Sequence, residues 1–124
     1  MNYSQNNEQD IILSYFKNNK GAFLDIGSFD GQHLSNTRAL AELGWCGVCV
    51  EPSPEVFEKL ATLYMKNMDV YCYEVAIGNN DTFIKFYNNT NAVATTIEHE
   101  TKRWTDEKFN EITVEQLSFN TLLD

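Results

Sequence analysis

The sequence predicts an α/β fold in which a parallel sheet is flanked by helices, formed as one domain over residues 1–124. Short apolar runs that end in glycine or an acidic residue alternate with segments of helical periodicity, which indicates a helix–strand–helix order. Strands joined through helices in this way lie parallel, because the crossover between them is long and right-handed. The chain has 124 residues and is 43% hydrophobic, which suffices for one small core.

The spacing of apolar residues predicts the first helix and the first strand. Ile11, Ile12 and Tyr15 recur at helical spacing, which predicts an amphipathic helix over residues 8–19. The continuous apolar run at residues 22–26 predicts a buried strand, and a glycine-containing loop follows it.

The next helix and strand follow the same alternation. Residues 33–43 have a helical pattern, with Gly44 where a C-terminal cap belongs. Residues 46–50 form a second apolar run and predict a second buried strand. Because Cys46 and Cys49 lie in this run and no second cysteine pair or nearby histidine accompanies them, both are expected in the core rather than in a zinc site.

The third helix has the clearest start signal. Ser53 suits the N-cap position and Pro54 suits the first helical position. A third strand is predicted over residues 70–77, where an apolar run ends in a turn cluster. Residues 82–87 alternate enough to predict a fourth, less buried strand.

The last third of the chain carries weaker signals. Residues 88–110 are polar and without a clear period, so a long loop is expected there, of the kind that often carries function. Residues 112–117 alternate as a further strand, and Ser118 is placed to cap a last helix.

The charge excludes several classes of partner. Nine Lys and Arg against 18 Asp and Glu give a formal net charge of −9, whereas a nucleic-acid phosphate backbone or an anionic membrane surface requires clustered cations. We therefore expect no nucleic acid and no membrane as partner. The first ten residues lack the features of a signal peptide, so a cytoplasmic location is expected.

Candidate binding residues follow the first two predicted strands. The loop from Asp25 to Gly31 has two glycines, which allow a sharp turn and a close approach to a ligand. The N-terminal N–H groups of the following helix suit a carboxylate. Glu51 follows the second strand, about twenty residues after Gly31, at the offset of an acid that accepts hydrogen bonds from a ribose diol. Glu51 is expected at an exposed strand end, and Asp25 is placed to receive an amino group.

This pattern predicts a nucleoside ligand that carries an amino acid. A glycine loop alone, or an acid at a strand end alone, is more often a tight turn or a solvated side chain, and the joint pattern is the informative signal. NAD is the alternative ligand, but Gly27 and Gly31 are four apart and Asp30 between them would repel a pyrophosphate. No Gly-Lys-Ser/Thr follows the loop, which excludes a P-loop.

Three segments resemble the FkbM family of S-adenosylmethionine (SAM) dependent methyltransferases: residues 23–31, 35–37 and 44–54. Residues 74–78 are similar to the third-strand segment of that family. The resemblance implies a Rossmann-like fold, SAM as cofactor, and O-methylation of a sugar or other small molecule. The function alternatives that we keep open are a non-catalytic SAM-binding fragment or interaction module, and an NAD-type domain.

The resemblance assigns roles to residues of this chain. It places the loop with Gly27 around the methionine part of SAM, Glu51 at the ribose, and Ala76 and Ile77 at the adenine. Ser35 and Asn36 match a family segment near the cofactor, and helix capping is their alternative role. With their neighbours in the same motifs, the predicted cofactor-binding residues are Asp25, Gly27, Ser28, Asp30, Gly31, Ser35, Asn36, Glu51, Pro52, Ala76 and Ile77.

The chain departs from the family pattern at its end. Members of the family continue past the segment matching residues 122–124 into a further strand, so the fold is expected to be C-terminally incomplete. The strand at residues 22–26 would then keep an unpaired edge, which predicts self-association. No catalytic residue and no metal site are assigned; His33 is either a base near the acceptor or a solvated residue at a helix start.

Overall fold

A computed structural model of the chain describes residues 1–89, 94, 96 and 108–123. These residues form four helices and six strands, arranged as two three-stranded sheets. In chain order the elements are α1 (Glu8–Phe16), β1 (Ala22–Ile26), α2 (Arg38–Glu42), β2 (Cys46–Val50), α3 (Pro54–Leu63), β3 (Val70–Tyr73), β4 (Ala76–Gly78), β5 (Thr82–Asn88), β6 (Asn110–Ser118) and α4 (Phe119–Leu123).

The first sheet consists of β1, β2 and β3 in that order, and all its strands are parallel. Ala22 pairs with Cys46 and Ile26 with Val50, so the ends of β1 and β2 coincide. The predicted parallel pairing of these strands is confirmed. Because the strands run parallel, β1 and β2 bring their carboxyl ends, and the residues that follow them, to one edge of the sheet.

Helix α3 supplies the core on one face of the first sheet. Leu60 is completely buried and packs with Cys49, Tyr64 and Val70. Cys46, in contrast, is exposed. The prediction that both cysteines of β2 are core residues is therefore wrong for Cys46, because side chains alternate between the two faces of a strand.

The opposite face of the first sheet is exposed along β1 and β3, whereas Val50 of β2 on the same face is buried. Leu24 and Ile26 of β1 are exposed, as are Tyr71 and Tyr73 of β3, with Ile26 51% and Tyr71 61% accessible. The prediction of a fully buried strand at residues 22–26 is therefore wrong, since exposed and half-buried residues alternate along β1.

The second sheet has the order β4–β6–β5, with β4 parallel and β5 antiparallel to β6. The single strand predicted over residues 70–77 is thus two strands, β3 and β4, which belong to different sheets. An apolar run reveals burial but not the pairing partner, so the break was invisible in the sequence. Most of the predicted loop at residues 88–110 lies outside the described residues.

The first two helices are shorter than predicted. Helix α1 ends at Phe16 rather than near residue 19, and its Ile11 and Tyr15 are exposed instead of forming a packed face. Helix α2 occupies only Arg38–Glu42 of the predicted 33–43, because the preceding residues form a loop in which Leu34 has a φ of +59°. No helix in the described part of the chain has the length and apolar character needed to cross a bilayer.

Two helix starts follow the sequence closely. Pro54 opens α3 as predicted, although the hydroxyl of Ser53 does not cap it. At α4, Ser118 Oγ accepts a hydrogen bond from the N–H of Thr121 at 3.2 Å, which is the predicted cap.

Asn88, at the end of β5, joins the second sheet to α3. Its side chain is buried, its Oδ1 accepts a hydrogen bond from Ser53 Oγ, and its Nδ2 donates to Glu55 Oε2 at 2.9 Å. The hydroxyl of Ser53 is thereby committed to a contact between elements rather than to capping its own helix.

Candidate functional site

A cleft of about 420 Å³ opens at the carboxyl ends of β1 and β2. Its size lies within the range of small-molecule sites, roughly 300–1,000 Å³. Seven of the predicted cofactor-binding residues line it, namely Asp25, Gly27, Ser28, Ser35, Asn36, Glu51 and Pro52. The structure therefore brings the two predicted motifs, the glycine loop and the acid after the second strand, to one place.

The two loop glycines have different surroundings. Gly27 has a φ of +77° and Gly31 of +83°, a backbone region that favours glycine. A Cβ on Gly31 would come within 2.7 Å of Leu60 and 2.9 Å of Leu63, whereas a Cβ on Gly27 would meet nothing within 4 Å. Gly31 thus allows the loop to pack on α3, and Gly27 leaves open space beside the cleft.

Glu51 organises the loop as well as lining the cleft. Its Oε1 accepts the N–H of Phe29 at 2.9 Å and its Oε2 accepts the N–H of Ser53 at 3.0 Å. The first bond fixes Phe29 in a left-handed conformation, with a φ of +56°. Glu51 is only 7% exposed, so the expectation of a solvated strand end is wrong.

Burial also changes the acidity of Glu51. Desolvation raises its pKa, the two backbone N–H groups oppose that shift only in part, and the nearby carboxylate of Asp25 adds to it. A ligand that donates hydrogen bonds or carries positive charge would favour the ionised form of this group.

Asp25 is the second carboxylate of the cleft. Thr37 Oγ1 donates a hydrogen bond to Asp25 Oδ2 at 2.6 Å, which orients the carboxylate from the start of α2. Ser28 Oγ donates to the backbone oxygen of Asp25 at 2.7 Å, so the hydroxyl of Ser28 stiffens the turn at the end of β1.

Ser35 combines its two predicted roles. It lines the cleft, and its Oγ accepts the N–H groups of Thr37 at 3.2 Å and Arg38 at 2.9 Å, just before and at the start of α2. A ligand carboxylate at the start of this helix stays a prediction. Asn36, also predicted, is exposed and lines the same cleft.

The side chains of Asp30 and His33 are hydrogen-bonded to each other beside the cleft. Asp30 Oδ2 lies 2.6 Å from His33 Nδ1, and Asp30 Oδ1 accepts the N–H groups of Gln32 and His33. Burial raises the pKa of Asp30, but the hydrogen bonds from Gln32 and His33 outweigh it and leave that pKa below its usual value. His33 lines the cleft with a largely exposed ring, whereas Asp30 faces a separate groove along α3.

Four predicted binding residues lie off the cleft wall in the part of the chain that the structure describes. Asp30 and Gly31 hold the loop together and against α3, as their contacts above show. Ala76 and Ile77 lie in β4 of the second sheet, where Ala76 packs with Phe86 and Val114. Any contact between these residues and a ligand stays a prediction.

Other residues line the cleft that the sequence did not point to. Leu34, Ser53 and Val56 come from the loop before α2 and from the start of α3, whereas Phe86 lies in β5 and Asn89 follows the end of that strand. Leu34, Ser53 and Val56 belong to segments whose apolar or capping pattern predicts a role in helix packing rather than in ligand binding. Phe86 and Asn89 flank Asn88, whose side chain bonds to Ser53 and Glu55 at the start of α3, and no local pattern could indicate this long-range contact.

The charge of the cleft is negative. Asp25 and Glu51 line it together, and no Lys or Arg is among its described lining residues. In addition, the loop N–H groups are largely used internally: Gly27 and Ser28 donate to the oxygen of Val50, and Gly31 donates to that of Ser28. The backbone N–H groups of Phe29, Gln32 and His33 donate to carboxylates. The N–H groups of the loop therefore do not form a binding site for an anion.

Comparison with known proteins identifies the family. The model of the methyltransferase FkbM domain matches residues 25–124, about four fifths of the chain. No curated protein and no solved structure matches the chain. The matched segment contains the glycine loop, Glu51 and the whole second sheet, and the chain therefore belongs to the FkbM methyltransferase domain family.

Proposed function

We propose that the chain is a SAM-dependent methyltransferase domain of Rossmann-like fold that methylates a hydroxyl oxygen of a sugar or other small molecule. The observation that carries this proposal is the cleft at the carboxyl ends of two parallel strands. Its described lining includes two carboxylates and no Lys or Arg, and the chain belongs to a methyltransferase family. Ligands of parallel α/β sheets bind at that edge.

The residues of the cleft suit the parts of SAM. Each oxygen of Glu51 accepts one backbone N–H and keeps a second lone pair, so the carboxylate is able to accept hydrogen bonds from a ribose diol. Asp25, held by Thr37, suits the amino group of the methionine part. The open space beside Gly27 suits close passage of a ligand along the backbone.

Electrostatics favour SAM over NAD. SAM carries a sulfonium and an ammonium against one carboxylate, so its net positive charge complements Asp25 and Glu51. A pyrophosphate needs free N–H groups or cations, and the loop of residues 27–33 directs its N–H groups to its own carbonyl and carboxylate oxygens.

Bound SAM supplies an activated methyl group on sulfur, so the chain mainly has to bind, orient and exclude water. Glu51 and Asp25 would orient the two polar ends of the cofactor. Leu34, Pro52 and Phe86 contribute apolar surface that limits water at the cleft wall. A hydroxyl acceptor also benefits from a general base.

Calorimetric titration tests the cofactor. We expect SAM and S-adenosylhomocysteine to bind, with NAD and ATP weaker by at least tenfold, about 1.4 kcal/mol. Tighter binding of NAD than of SAM would overturn the proposal in favour of a dinucleotide domain.

Methyl transfer is tested separately, with SAM labelled in its methyl group and a panel of sugars and simple alcohols. Label recovered on oxygen supports the proposed reaction. Binding of SAM without transfer to any member of a broad panel would instead support a non-catalytic SAM-binding module, which is the alternative reading of this chain.

A further inference from the structure

Two cysteines lie side by side in the first sheet. Cys49 of β2 and Cys72 of β3 are register partners on neighbouring parallel strands, and Cys72 packs against the core cluster that contains Cys49. Neighbouring strands lie about 4.8 Å apart, which is within the Cα separation of about 4.4–6.8 Å that a disulfide spans. Partners in register also point to the same face of the sheet, so both sulfur atoms lie on one side of it.

The two thiols differ in access and acidity. Cys49 is 1% exposed, whereas Cys72 is partly exposed and belongs to β3, an edge strand of the first sheet. The hydrogen bond with Cys72, together with burial, raises the pKa of Cys49, and the same bond lowers the pKa of Cys72. An accessible thiol of lowered pKa beside a second thiol is the arrangement of an attacking and a resolving cysteine.

We propose that Cys49 and Cys72 form a thiol–disulfide exchange site, in which a small disulfide such as glutathione disulfide converts the pair to a cross-strand disulfide. The third cysteine takes no part, because Cys46 is exposed and points to the opposite face of β2 from its neighbour Cys49.

The reaction balances in two exchange steps. The Cys72 thiolate attacks one sulfur of glutathione disulfide, forms a mixed disulfide, and releases one glutathione thiolate. Cys49 then attacks the Cys72 sulfur, which forms the Cys49–Cys72 bond, and its proton passes to the departing thiolate, which leaves as the second glutathione. The pair is oxidised by two electrons, and the glutathione disulfide is reduced to two thiols.

Oxidation would reach the cleft through the backbone of Ser28. Cys49 precedes Val50, whose backbone oxygen accepts the N–H groups of Gly27 and Ser28, so the strand that carries Cys49 also holds the glycine loop. A disulfide to Cys72 would pull on this strand next to Val50 and would change how Ser28 and the loop are held. This consequence rests on the proposed function, but the exchange site itself does not.

The test uses the Cys46→Ser protein as background, so that only the two thiols of interest react. The protein is incubated under native conditions with glutathione disulfide and analysed by intact mass, thiol titration and peptide mapping. We expect loss of the mass of two hydrogen atoms, no free thiol, no retained glutathione, and a linked peptide pair that contains Cys49 and Cys72.

Two further variants on that background assign the roles. Adding Cys49→Ser should trap one glutathione on Cys72, because the resolving thiol is gone. Adding Cys72→Ser should leave the protein unmodified while folded, because Cys49 is buried, and reactive only after denaturation, which also shows that its thiol is intact. Circular dichroism of each variant establishes that the protein compared is folded.

Other results would overturn the proposal. They are two thiols that stay free in the folded Cys46→Ser protein, a stable glutathione adduct on Cys72 despite the presence of Cys49, or equal labelling of Cys49 and Cys72. SAM titration of the reduced and oxidised forms is read independently: equal affinity would refute the link through Ser28, while failure of the reduced form to bind SAM would count against the proposed function alone.

Discussion

Glu51 is a cleft residue whose carboxylate serves two purposes at once. It holds the N–H groups of Phe29 and Ser53, and the same oxygens face the space where a ligand would lie. The sequence predicted this acid at the correct strand end but did not predict that it is buried. Burial depends on the loop folding back over β2, which is a contact between segments 22 residues apart.

The titration of Glu51 predicts a pH dependence with opposite signs for stability and binding. Its pKa is raised above 4.5, so between 4.5 and that raised value the folded state binds more protons than the unfolded state. The contribution of Glu51 to stability is greatest below that window and falls as pH rises through it. A cationic ligand with a diol prefers the carboxylate, so SAM affinity should rise through the same window and then level off.

Calorimetry in two buffers of different ionisation enthalpy measures this, because SAM binding should release protons inside the window and none above it. Glu51→Gln should weaken binding by about 1.5–3 kcal/mol, the range for a hydrogen bond to a charged group, and abolish the proton release. Glu58→Gln, a change of the same charge on the exposed side of α3, is the control and should do neither. Proton release that persists in Glu51→Gln would assign the titration to another group.

The two loop glycines provide a matched pair of variants. Gly27→Ala meets no atom within 4 Å, so it should cost only the strain of a positive φ, about 1 kcal/mol, while its methyl group enters the space beside the cleft. Gly31→Ala carries the same strain and also clashes with Leu60 and Leu63, which should bring the loss to about 2–4 kcal/mol. We expect Gly27→Ala to lose SAM binding with little loss of stability.

Urea unfolding and SAM titration of both glycine variants separate the two effects. If Gly31→Ala were as stable as Gly27→Ala, the packing of the loop on α3 would be wrong. If Gly27→Ala bound SAM normally, the ligand would not pass beside that glycine.

At the scale of elements, local patterns predicted the first sheet well and the second only in part. Strand β2 and the start of α3 have the predicted bounds, because a continuous apolar run and a Ser-Pro start are local signals. The break between β3 and β4 depends on a tertiary contact, the pairing of β4 with β6. The late start of α2 accompanies the bond from the N–H of Arg38 to the hydroxyl of Ser35. The same limit explains why Phe86 was missed as a residue of the cleft wall.

Asn88 forms the contact between the second sheet and the start of α3. Removing its side chain tests how the elements are held together, not how a ligand binds. Asn88→Ala deletes the buried hydrogen bonds to Ser53 and Glu55, which should cost about 1–3 kcal/mol of unfolding free energy. Asn79→Ala, in an exposed turn, is the control and should change stability by less than about 0.5 kcal/mol. Equal unfolding midpoints for the two variants in urea would show that this contact does not hold the elements together.

For the whole molecule, the open edge of the first sheet and its exposed face along β1 predict self-association. Strand β1 pairs only with β2 in the described part of the chain, and Leu24 and Ile26 are exposed on it. Such an edge is a template for pairing with another strand. The net charge of −9 opposes association, so added salt should promote it by screening that repulsion.

Sedimentation over a range of protein and salt concentrations measures this association. Leu24→Lys should weaken it by at least about tenfold, since a charge on an edge strand blocks pairing. Met68→Lys makes the same change of charge on an exposed turn and serves as the control. A chain that stays monomeric at all salt concentrations, or variants that behave alike, would refute association through β1.

The break between Tyr73 and Ala76 has a consequence for how the molecule opens. The first sheet is built from one continuous stretch of chain, residues 22–73, and the second from residues 76–118, so each half is a candidate cooperative folding unit. The cleft draws Asp25 and Glu51 from one unit and Phe86 and Asn89 from the other. Transient opening of the second unit would therefore dismantle the cleft without unfolding the first, and a ligand that binds both would slow amide hydrogen exchange in the two units together.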